Sequence, residues 1–161
     1  VNVIDAKAER TMNRRSLLWT ALSSVGAGLL ASRANAVTAD NKPPTRLKVV
    51  YHLADADRVN FALGNIQNHF DGVGGPDNVT IALVVLGPAL KSFARASANP
   101  DITARVSKFT KAGLQLAACG NTMKAQDVTL DGLLPGFTVA DRGGVVRIAE
   151  LQSQGYAYIR P

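Results

Sequence analysis

The chain carries one cysteine, and its neighbours place that thiol where it can do chemistry. Cys119 closes the apolar run Leu116-Ala117-Ala118, which reads as a strand, and Gly120-Asn121-Thr122 opens what reads as a helix. In an α/β domain this puts the sulfur at the carboxyl end of a strand and the amino end of a helix. Unpaired backbone N–H groups and the helix dipole favour an anion there. The same field favours thiolate over thiol and makes Cys119 a candidate nucleophile. Gly120 leaves room for a donor to approach, and the N–H groups around Asn121 and Thr122 are candidates to bind the anionic sulfur. The plain alternative is a packed thiol, since free cysteine often serves as a small hydrophobe. A lone cysteine makes no intramolecular disulfide. It is left with burial, an intermolecular bridge or reversible sulfur chemistry.

His52 is the candidate partner. It lies near the carboxyl end of the expected first strand, Leu47 to Leu53, on the same sheet edge as Cys119. A Cys119–His52 pair would lower the thiol pKa further and supply a proton carrier. His69 ends the following helix at the opposite edge and reads as a residue set against the helix dipole. A catalytic zinc takes about three protein ligands, and one edge supplies only Cys119 and His52, so no metal site is expected. Asp55 and Asp57 read as helix caps rather than as the carboxylate of a triad, for which no serine is suitably placed. Gly72, Gly74 and Gly75 follow a helix and precede a strand, whereas a phosphate loop follows a strand and precedes a helix. They read as a turn, and no cofactor is expected.

Residues 1–36 read as an export signal. Arg14-Arg15 precede an apolar stretch from Leu17 to Leu30, and Ala34-Asn35-Ala36 has the form of a cleavage site. The paired arginines and the Gly-, Ala- and Ser-rich apolar stretch suggest the twin-arginine route and a periplasmic protein that keeps no membrane anchor. Of 18 Lys and Arg and 12 Asp and Glu, five and two fall in this segment, leaving 13 against 10 and a net charge of +3. Those charges are scattered, with no basic stripe and no interleaved aromatics, so nucleic acid is not an expected partner. Residues 37–45, with Lys42-Pro43-Pro44, read as a flexible lead-in, and 46–161 as one domain.

The domain must position the thiol, and its elements alternate. After the first strand, apolar residues Val59, Ala62, Leu63, Ile66 and Phe70 predict a helix over about 57–70. Val79 to Leu86 is an almost unbroken apolar run, as a strand buried on both faces requires. Ala89 to Ala96 reads as a short helix, and Asn99-Pro100 starts another with Ile102, Val106 and Phe109 inward and Gly113 as its stop. Leu114 to Ala118 is the third strand, followed by a short helix over about 122–127, and Phe137 to Ala140 is the fourth strand. Val145, Ile148, Ala149 and Leu151 line a last helix ended by Gly155, and Tyr156 to Ile159 is the fifth strand. The alternation predicts an α/β fold: a flavodoxin-like, doubly wound, mostly parallel sheet of about five strands.

With the cysteine placed, the chain resembles the DsrE/DsrF-like sulfur-relay family, in its exported small-domain branch. The resemblance rests on Val49-Val50-Tyr51-His52, on Asn65 to His69, on Ala118-Cys119-Gly120-Asn121-Thr122 and on the tail from Leu133 to Ile159. It implies the same fold and a homo-oligomer, a trimer or a hexamer. It also implies a persulfide carried on Cys119 between a sulfur donor protein and an acceptor protein. Cys-Gly-Asn-Thr differs from the local sequence of the cytoplasmic relay proteins. Two functions follow: an exported persulfide carrier, or a non-catalytic oligomeric binding module in which Cys119 only packs.

Overall fold

The computed structural model describes residues 46–161, and the expected signal at 1–36 and lead-in at 37–45 lie outside the described residues. Five strands form one parallel sheet in the order β4-β3-β2-β1-β5: β1 Leu47–Leu53, β2 Val79–Val85, β3 Gln115–Cys119, β4 Phe137–Ala140 and β5 Ala157–Ile159. The helices are α1 Val59–Gly72, α2 Pro100–Lys111, α3 Gly120–Ala125 and α4 Gly144–Ser153. The expected α/β class and strand count are those observed.

The distribution of helices follows from handedness. From β1 to β4 the chain steps across the sheet in one direction. Right-handed crossovers keep α1, α2 and α3 on one face, and the return from β4 to β5 puts α4 on the other. The first face holds the larger core. There Val49, Tyr51, Leu53, Ile81, Leu83 and Val85 meet α1 and α2. On the second face Ile148 and Leu151 of α4 cover Val50, Ala82, Val84 and Ala117. β2 has a paired strand on each side and core on each face, which explains its continuous apolar run. Asn99 caps α2 as its type predicts, its Oδ1 accepting from the Asp101 N–H at 2.8 Å.

Several local expectations are corrected. The short helix expected over 89–96 is a 3-10 helix that spans Gly87–Phe93. Residues three apart eclipse in that geometry, which lets Leu90 and Phe93 enter the core together. Neither Asp55 nor Asp57 caps α1. A 3-10 turn, Ala56–Arg58, precedes the helix, no side chain caps either segment, and Asp55 pairs with Arg160 at 3.3 Å. Val145 is 69% exposed and Ala149 also faces outward. The inner stripe of α4 is Gly144, Ile148 and Leu151 instead, because the helix enters the sheet on its glycine. His69 is tied to β1 by a 3.0 Å hydrogen bond between its Nδ1 and the Tyr51 hydroxyl. Gly74 and Gly75 have φ of 80° and 124°, in the turn that returns α1 to β2.

Candidate functional site

Cys119 is the last residue of β3 and the N-cap residue of α3, at φ −66° and ψ 116°. Its residue is 6% exposed. On β3 it follows Ala117 by two, so it faces the α4 side of the sheet. Gly144, the first residue of α4, sits directly over it: a Cβ added there would lie 3.2 Å from the Cys119 Cβ and 3.1 Å from Leu86 Cδ2. The amino ends of α3 and α4 therefore meet at one sulfur.

The electrostatics follow from that meeting. Burial pushes the Cys119 thiol up, and four donors outweigh it: the Thr122 hydroxyl and the backbone N–H groups of Gly144, Thr122 and Asn121. The net shift is downward, toward thiolate. Hydrogen bonds to an ionised acceptor are the strong ones, so the arrangement favours an anionic sulfur at this position. Asn121 and Thr122 lie in the first turn of α3, next to the cysteine in sequence. Gly120 has a packing use, since a side chain there would come within 3.1 Å of the Ala140 carbonyl oxygen. Its absence lets α3 begin against the end of β4.

His52 is not beside the thiol. β2 lies between β1 and β3, and His52 is in register with Val84, which is in register with Ala117. At ~4.8 Å per strand the two backbones are about 10 Å apart across the sheet, and Cys119 is two residues further along. The expected Cys119–His52 pair therefore does not form. Instead His52 Nδ1 and the Tyr158 hydroxyl of β5 share a 2.7 Å hydrogen bond. Burial and then the Arg160 charge lower the His52 pKa, against an opposing pull from Asp55. The neutral ring is the one favoured at pH 7.

Two clefts lie close to this edge of the sheet, and Cys119 lines neither. One of about 410 Å³ lies on the α4 side, between Ala117, Ala140, Gly143, Val146 and Arg147. Another of about 340 Å³ lies on the α3 side, beside Gly120, Met123, Lys124 and Asp141. Glu150 pairs with both Arg142 and Arg147 at the first. No group of three or more His, Cys, Asp or Glu side chains suited to a metal ion occurs among the described residues.

Sequence reading missed Gly143 and Gly144. The signal was present: a glycine pair between strand Phe137–Ala140 and a helix, the position a strand-to-helix anion loop occupies. Gly143 has φ 99° and ψ 155°, a region open essentially to glycine alone. A Cβ there would also stand 2.9 Å from Asn121 Nδ2. Gly143→Ala is expected to cost about 1–3 kcal/mol and to shift α4 off the sulfur. Denaturant unfolding and slower Cys119 alkylation near pH 7 would report the two effects, and an unaltered alkylation rate would show that α4 does not act on the thiol.

A family model described as the DsrE/DsrF-like family matches residues 45–161. Among solved structures, a protein of unknown function from Methanobacterium thermoautotrophicum, MTH1491, is 32% identical with a TM-score of 0.63, over 71% of this chain and 99% of that one. The ychN protein from E. coli matches at 11% identity and a TM-score of 0.57, over 71% and 100% of the two chains. A conserved protein of unknown function from Bacteroides thetaiotaomicron, BT1422, matches at 17% and 0.55, over 71% and 94%. The last two are similar in fold alone. No curated protein matches the chain.

Proposed function

The chain belongs to the DsrE/DsrF-like family, and from that premise we propose that it is a sulfur-relay protein carrying sulfane sulfur as a persulfide on Cys119. The observation that carries this reading is the cluster of helix amino ends at one buried sulfur: Cys119 is the N-cap residue of α3, and Gly144, the first residue of α4, packs against it. Such a cluster makes the nucleophile available without a neighbouring base, which suits a site whose nearest expected base, His52, is occupied elsewhere.

The transfer is redox-neutral. The Cys119 thiolate attacks the outer sulfur of a donor persulfide, R–S–SH. The Sγ–S bond forms as the donor S–S bond breaks, and R–S⁻ leaves. The product Cys119–S–SH loses its proton to solvent. Delivery reverses the step: an acceptor thiolate takes the outer sulfur and Cys119 departs as thiolate. The proposal extends to a periplasmic, exported protein that works as a homo-oligomer, a trimer or a hexamer, between a sulfur donor and an acceptor.

The near-complete burial of Cys119 favours the second reading, a packed thiol in a binding module. Intact-mass measurement after brief exposure to inorganic polysulfide separates the two. A carrier gains the mass of sulfur atoms that dithiothreitol removes, whereas a protein that gains none unless unfolded is the binding module.

A further inference from the structure

We propose that His52 and Tyr158 form an acid-sensitive latch that holds β5 on the edge of the sheet while the His52 ring is neutral and frees it when the ring takes a second proton. The inference stands apart from Cys119 and its sulfur. β5 has few other holds. It is an edge strand of three residues, in register with Val49, Val50 and Tyr51 of β1. Ala157 and Tyr158 are exposed, so little apolar burial fixes the strand. Beyond it Arg160 pairs with Asp55 at 3.3 Å, both side chains being more than half exposed, and exposed ion pairs contribute little. The 2.7 Å bond between His52 Nδ1 and the Tyr158 hydroxyl joins the two strands side chain to side chain.

The other ring nitrogen makes this bond sensitive to protons. His52 Nε2 is buried with no hydrogen-bond partner among the described residues. A neutral ring leaves there either a bare lone pair or an N–H, according to its tautomer. A charged ring puts an N–H there in every case, and a buried cationic donor without an acceptor costs far more than a neutral one. The charged ring also cannot accept from Tyr158 at Nδ1.

The surroundings do not relieve that cost. Burial opposes the charge, Arg160 repels it and Asp55 attracts it, and the folded pKa lies below the ordinary value. Asp57 and Arg58, in the turn after β1, pair with each other at 3.9 Å. β2 presents Val84 in register with His52, and the buried residues of α4 are Gly144, Ile148 and Leu151, none of them charged. A ring turned out into water titrates near ~6.5. Between the folded value and ~6.5 the released form binds more protons, so the latch is whole above ~6.5 and is lost as pH falls through the folded pKa. Release leaves the outer edge of β1 with unpaired N–H and C=O groups that another strand can take up.

Hydrogen exchange of the full chain from neutral to acid pH, corrected for the intrinsic effect of pH, tests the latch. Protection of the β5 amides is expected to fall about two- to tenfold, the worth of one hydrogen bond, while the β2 amides keep theirs. His52→Asn, whose amide stands where Nδ1 does and does not titrate, should show no such fall. Tyr158→Phe keeps the histidine and removes its partner, and should bring β5 protection at neutral pH down toward the acid value. Wild-type β5 protection that does not change with pH overturns the latch. A fall shared equally by β2, or one that persists in His52→Asn, overturns it too, as does a Tyr158→Phe variant with wild-type protection at both ends.

Discussion

Cys119→Ser is expected to abolish sulfur loading while leaving the fold intact. Serine oxygen is not ionised at neutral pH and forms no persulfide, so the loss is complete rather than partial. The fold should tolerate the change because Cys119 is the N-cap residue of α3, a position serine prefers. Its hydroxyl oxygen can accept from a first-turn N–H group of α3. The comparison also carries a pH signature. The thiol pKa is lowered in the folded protein, so between the folded value and the unfolded value of ~8.5 the unfolded chain binds more protons. Wild-type stability must then rise with pH through that window relative to the serine variant. The advantage is fully present above ~8.5 and lost as pH falls through the folded pKa. Denaturant unfolding of both proteins between about pH 5 and 9 measures it. A flat difference would show that the folded environment does not favour thiolate.

Phe93→Ala is the substitution expected to damage the fold most. Phe93 is fully buried and meets Phe137 edge-on, ring centroids 5.4 Å apart. It joins the 3-10 segment after β2 to the strand that ends beside the cysteine. Its carbonyl also accepts from the Leu134 N–H at 2.9 Å. Removing a buried phenylalanine side chain costs about 3–5 kcal/mol, against a total of about 5–15 kcal/mol for a domain. The expected result is a large drop in the denaturant midpoint with little change in slope. A loss below about 1 kcal/mol would mean that the segment is not part of the cooperative core.

Periodicity and punctuation made most of the fold legible. β2 was evident because a strand buried on both faces must be apolar throughout, and α2 because Asn99-Pro100 and Gly113 mark its ends. What failed was local geometry decided by tertiary contact. Nothing in Gly87 to Phe93 distinguishes a 3-10 from an α-helix until the core demands that Leu90 and Phe93 face the same way. Val145 and Ala149 are as apolar as the residues that turned inward, and only the entry of α4 on Gly144 sets the helix rotation.

The site was legible in the same measure. Cys119, Asn121 and Thr122 follow from a strand-to-helix junction, which is a local property. His52 required strand order, and the order β4-β3-β2-β1-β5 separates it from the thiol. Gly144 comes from another stretch of chain. Only the folded sheet brings it against Cys119.

The central claim is that Cys119 is a thiolate in the native fold, and the rate of its alkylation across about pH 4 to 10 tests it most directly. The account predicts a reactive thiol that titrates well below ~8.5 without denaturant. A cysteine that reacts only after unfolding, or that titrates at the free-thiol value, would contradict it.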